Sequence, residues 1–173
     1  MQFYSEREGE MDLFKGLVAG VAGGLLASFL MEQFQAAWSA TAEAISPSEK
    51  KPGRKADPAT VKAANAVAQK LVGRKVPAAY KPAAGEVVHY GMGAGSAAVY
   101  GALAEVAPFV TAGEGLGFGT GVWLLADEVA VPKAGLSKPP LEIPLTTHLY
   151  ALASHLIYGA ITETVRRAVR KAL

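Results

Sequence analysis

The sequence predicts an all-α integral membrane bundle of about four transmembrane helices, and three observations predict it. Apolar residues make up 51% of the 173 positions and charged residues 18%, richer in apolar and poorer in charged residues than an average soluble domain. Charge is also confined to blocks: nine Lys/Arg fall between Lys50 and Lys81, while residues 16–31 and 87–104 contain none. Finally, four Gly/Ala-rich stretches each approach the roughly 20 residues that cross a bilayer core. The competing reading is a soluble, Gly/Ala-rich four-helix globule. One domain over residues 1–173 is expected in either case.

The first span, 13–38, opens with GLVAGVAGGLLASFLM and continues through Glu32 and Gln33 to Trp38, an interfacial marker. Glu6, Glu8, Glu10 and Asp12 precede the apolar run that starts at Gly16, against only Arg7 and Lys15. A secretory signal has a positive lead instead, so this segment is expected to be an anchor, although Ala40 and Ala42 make an A-x-A pattern. The second span, 87–106, stops short of Pro108 and carries Gly91, Gly95, Ala98 and Ala102 on a narrow arc. The third, 113–131, holds Gly113, Gly117 and Gly121 at every fourth position, the small-xxx-small pattern of close helix contact. Both sets are expected to face a neighbouring helix. The fourth, 145–165, contains Thr146, Thr147, His148, Ser154, His155 and Glu163, which suits a bundle interior better than lipid.

Residues 46–82 form a polar loop with a short helix inside it. Asp57-Pro58 reads as an N-cap with a first-turn proline, and Gly73 as a stop after about Val72. Val61, Ala64, Ala68, Leu71 and Val72 share one side of this helix. It is expected to lie in the headgroup region, dock on a partner, or serve as a solvated connector. Orientation stays open, because eleven Lys/Arg lie on the long-loop side while a compact cluster, Arg166, Arg167, Arg170 and Lys171, ends the fourth span on the other.

Depth along each span, at about 1.5 Å per residue, brings several ionisable groups to one level. Glu32, His89, Asp127, Glu128 and His148 fall near the long-loop boundary, with His155 deeper, on the same face as His148. Glu32, His89, Asp127 and His155 form the candidate metal set, since imidazole and carboxylate suit zinc, iron or manganese. A proton relay, bis-histidine haem ligation, or plain structural pairing fit the same residues. Glu105 and Glu163 belong to the opposite side.

Other chemistries find little footing. The absence of cysteine excludes disulfides, cysteine zinc sites, iron–sulfur clusters and thiol catalysis. No Ser–His–Asp arrangement is legible. GAGSAAVYG lacks the preceding strand and Gly-Lys-Ser/Thr ending of a phosphate loop. The basic loop has only Tyr80 among its cations, so no nucleic-acid partner is expected.

VHYGMGAGSAAVYGALAEVAP, then WLLADEVAVPKAGLSKPP, then THLYALASHLIYGAITETVRR resemble the YagU-like family of uncharacterised bacterial inner-membrane proteins. The stretch from Asp127 through Pro132, Gly135 and Pro139–Pro140 is the most specific part. The resemblance implies a multi-pass location in the bacterial inner membrane and helical architecture, without an activity or a cofactor. The leading expectation is therefore a non-catalytic accessory or structural subunit, with the lipid bilayer and other membrane subunits as partners. The alternative is a metal-binding or proton-coupled transporter using the acid/histidine cluster.

Overall fold

The computed structural model describes residues 11–45 and 56–173. The acids at 6, 8 and 10 and the loop residues 46–55 lie outside the described residues. Within them the chain is all-helical, with no strand. It runs through α1 (Leu13–Ile45), α2 (Ala59–Val72), α3 (Lys81–Val106) and α4 (Leu116–Val122). A π-helical segment (Trp123–Ala130) then leads into α5 (Val131–Lys133), and α6 (Leu145–Ala172) follows.

Helix limits follow local chemistry. α1 continues past Trp38 because SATAEAI offers alanines and no Gly or Pro to stop it. α3 begins earlier than predicted, with Pro82 in its first turn, where a missing N–H costs nothing. The third helix begins at Leu116 rather than Gly113. Gly113, Glu114 and Gly115 all hold positive φ (76°, 55° and 82°), which no α-helix accommodates. Gly73 ends α2 in the left-handed conformation, as its position after Val72 predicts.

Membrane-spanning capacity is unevenly distributed. Among the described residues one helix, α1, is long and apolar enough to cross a membrane by length and composition, with a mean hydropathy of 1.8 in its best window. The other predicted spans carry more polar groups and do not reach that level. The burial pattern of the described residues is nevertheless unusual. The largest fully buried side chains are Glu163, Thr162, Ser28 and Ser154. Phe14, Leu25, Leu26, Phe29, Met92, Val99, Leu103, Leu124, Leu125 and Leu149 are exposed. Water-driven folding would favour the reverse arrangement.

Helix contacts depend on glycine, though on different glycines from those predicted. α1 packs against both α3 and α6, α4 packs against α6, and α2 packs against α3. On the α1–α3 seam, a Cβ at Gly20 would overlap the Ala97 carbonyl, one at Gly24 would meet the Gly93 carbonyl, and one at Gly101 the Gly16 carbonyl. Gly115 and Gly119 likewise abut the Gly159 and His155 carbonyls of α6. Gly91, Gly95 and Gly121 have no atom within 4 Å of where a Cβ would stand, and Gly117 has only the Ala112 carbonyl at 4.0 Å. Gly113 lies in the turn before α4 and is equally open. A four-residue spacing leaves two interleaved stripes to choose from, and within this chain the bundle uses the other one.

α2 packs on the start of α3 through Val61 and Ala64, while Val67, Leu71 and Val72 are exposed. Asp57 does not cap it. Its carboxylate pairs with Lys81, 2.5 Å away, and α2 is further tied by Lys62 Nζ donating to the Leu136 carbonyl at 2.9 Å. Val61→Asp is expected to free α2 and accelerate proteolysis at residues 56–80, because an unpaired buried carboxylate costs several kcal/mol. Leu71→Asp is expected to leave the cleavage rate unchanged. Equal cleavage of both variants would contradict this seating.

Candidate functional site: an acid-lined cleft

All four residues of the predicted metal set line one open cleft of about 880 Å³, formed by α1, α2, α3, the π-helical segment and α6. It extends from Asp57, Lys81 and Glu86 at the long-loop end down to Ser96, Val122 and Tyr158. Its walls are mainly apolar, with Met31, Val61, Val88, Met92, Val131 and Leu136 among the lining residues.

The four predicted residues share the cleft without converging. Glu32 accepts a 2.9 Å hydrogen bond from the Tyr90 hydroxyl. His89 Nε2 lies 3.4 Å from the Ser28 carbonyl of α1. Asp127 Oδ2 is 3.7 Å from His155 Nδ1, and that nitrogen is only 2.9 Å from the Ala151 carbonyl one turn back. A proton on Nδ1 therefore serves Ala151, and Asp127 is left with an electrostatic contact longer than a hydrogen bond. Among the described residues no three acid or histidine side chains come close enough to hold a metal ion. The four residues thus share a wall at similar depth but do not approach as closely as a metal site requires.

The π-helical segment accounts for the placement of Asp127 and its neighbour. Wider turns present consecutive residues differently from an α-helix, and such segments are frequent at functional sites. Here Asp127 meets His155 while Glu128 meets His148, two turns earlier on α6. His148 is held on both nitrogens: Nδ1 is 2.6 Å from Glu128 Oε1 and Nε2 is 3.0 Å from the Pro140 carbonyl. A neutral imidazole carries one N–H, so both bonds require either the imidazolium or a protonated Glu128. This second pair was visible in the sequence only as residues at similar depth. Asp127 also borders a smaller pocket of about 220 Å³ that contains Glu128 and His148.

The opposite end of the bundle holds a closed network. Glu163 is fully buried and accepts from Tyr100 Oη (2.8 Å), from Arg166 Nε (2.7 Å) and Nη2 (2.8 Å), and from Arg167 Nε (2.5 Å). Arg167 also reaches Glu114, and Arg170 binds Glu105 through two nitrogens. Glu105 and Glu163 therefore do not pair with each other. Each is neutralised by α6 arginines, and the bond to Glu105 raises the Arg170 pKa further above its already high value. The Glu163 contacts lie at i+3 and i+4 along α6, a spacing that could have disclosed them from sequence. Every carboxylate oxygen of Glu163 is occupied, so this network is structural.

Residues 41–164 match the family described as "Protein of unknown function (DUF1440)". The chain belongs to the DUF1440 family. No curated protein and no solved structure matches it. The DUF1440 match covers the cleft wall except its α1 residues, Ser28, Met31, Glu32 and Gln35, so Asp57, His89, Asp127 and His155 lie inside the family segment and Glu32 lies before it.

Proposed function

We propose that the chain is a multi-pass membrane bundle, YagU-like and seated in the bacterial inner membrane. Its cleft is a solute site coupled to proton movement through Asp127 and His155. The inverted burial supports the membrane reading: small and polar residues fill the seams while Leu, Val and Phe face outward. The aromatic group Phe34, Trp38 and Tyr150, with ring centroids 5.6–6.5 Å apart, gives the long-loop end an interfacial belt. The observation that carries the functional reading is the cleft itself, open to the outside and lined by the Asp127–His155 pair. A pocket of this size suits a small organic solute.

A second reading, an accessory subunit of a larger assembly, is favoured by the open glycine faces at Gly91, Gly95 and Gly121. Closely packing helices from another chain would fit there. The natural sequence has no cysteine, so a single introduced thiol reports accessibility cleanly. In sealed vesicles Val122→Cys is expected to react with a membrane-impermeant thiol reagent from one side only, and Leu125→Cys from neither. Proteoliposomes holding a pH dye are expected to pass protons under an imposed potential, with flux reduced about tenfold or more by Asp127→Asn. An unreactive Val122→Cys and flux equal to empty liposomes would overturn the solute reading. A stoichiometric partner chain recovered with the protein from native membranes would then favour the accessory one.

A further inference from the structure

We infer that the cleft binds an organic cation with an apolar body, held by Asp127 with Glu32 and Glu86 as flanking charges. This rests on the solute reading above and names its ligand class. The first ground is the sign of the lining. Glu32, Asp57, Glu86 and Asp127 line the cleft, and Lys81, the one lysine or arginine among the described residues that line it, is already paired with Asp57. The other basic side chains in the lining are two histidines, His89 and His155, which contact carbonyl oxygens and Asp127.

The second ground is the state of Asp127. Its side chain is 38% exposed, its charge partner His155 Nδ1 stands 3.7 Å away, and among the described residues no hydrogen bond reaches it, in contrast to Glu163, Glu105, Glu128 and Glu32. A carboxylate in a partly apolar wall needs a compensating charge, which a bound cation supplies. The third ground separates an organic cation from a metal. Metal binding needs several ligands at about 2 Å, and no such group of three exists among the described residues. A cleft of about 880 Å³ walled by Met31, Val88, Met92, Val122 and Tyr158 matches a bulky apolar body instead.

The test compares two ions of one shape and opposite charge. Equilibrium dialysis of the full-length, detergent-purified protein is run against tetraphenylphosphonium and tetraphenylborate, with protein-free micelles subtracted. Saturable binding of the phosphonium alone is expected, weakened about tenfold or more in Asp127→Asn and retained in Asp127→Glu. The wild-type comparison stands even where Asp127→Asn fails to fold. Equal binding of both ions, or undiminished phosphonium binding by a folded Asp127→Asn, would overturn the inference. Stoichiometric Zn²⁺ binding that is lost in His155→Ala would overturn it in favour of a metal. Absent phosphonium binding with Val122→Cys still reactive and proton flux intact removes the ligand class and leaves the solute reading. Loss of all three removes both.

Discussion

Gly20→Leu is expected to abolish recovery of a folded bundle in mild detergent, whereas Gly95→Ala and Gly121→Ala should be recovered like wild type. A Cβ at Gly20 would occupy the space of the Ala97 carbonyl oxygen and approach the Ala98 Cα, and backbone atoms cannot rotate away as a side-chain end can. The two helices must separate, which sacrifices the neighbouring close contacts at Gly16 and Gly24 as well. The loss should be at least about 3 kcal/mol, the upper end of ordinary overpacking. Gly95 and Gly121 face no atom within 4 Å, and alanine is the better helix former by about 1 kcal/mol. Monodisperse yield and resistance to denaturing detergent measure both effects. Comparable damage from all three substitutions would show that the open faces are packed as well.

Glu163→Ala is expected to be the most damaging polar substitution, at about 3–5 kcal/mol, because it leaves a buried guanidinium without its counter-charge. Arg166 is 7% exposed and donates twice to that carboxylate. Tyr100→Phe removes one hydrogen bond from the same network and should cost about 1 kcal/mol. The double variant Glu163→Ala with Arg166→Met should recover much of the loss, since it removes both buried charges together. Unfolding monitored by circular dichroism in mixed micelles gives the comparison. A double variant no better than the single one would mean that the network stabilises through shape rather than charge.

Much of this architecture was legible in the sequence, and the failures have identifiable causes. Pro58, Gly73 and Pro108 marked helix limits because proline and glycine restrict the backbone locally, whereas the start of α3 at Lys81 was not marked. Helix depth brought Glu32, His89, Asp127 and His155 to one cleft because axial rise is nearly constant. Azimuth was less accessible. Gly91/Gly95 and Gly93/Ala97/Gly101 are equally regular, and only the partner helix selects between them. Distances within the cleft were also out of reach, since they depend on the π-helical turn and on the Ala151 carbonyl occupying His155. The Glu163–Arg166–Arg167 group needed no tertiary knowledge, yet a basic cluster at a helix end invites a reading as a topology signal instead.

The long-range pairing of α1 with α6 has a consequence for how the protein is made. Lys15 meets the Leu173 carbonyl across a sequence separation of 158 residues, and Gly23 seats against the Thr162 carbonyl and the Arg166 backbone. A ribosome delivers α1 and α3 well before α6, so their glycine seam can close early while the α1–α6 seam waits. During that interval Glu105 has been made and Arg170 has not yet been synthesised. A stalled or truncated chain therefore displays an uncompensated acid and an unfilled groove along α1. Completion of α6 removes both at once, which makes its translation the step that hides these features of the nascent chain from quality control.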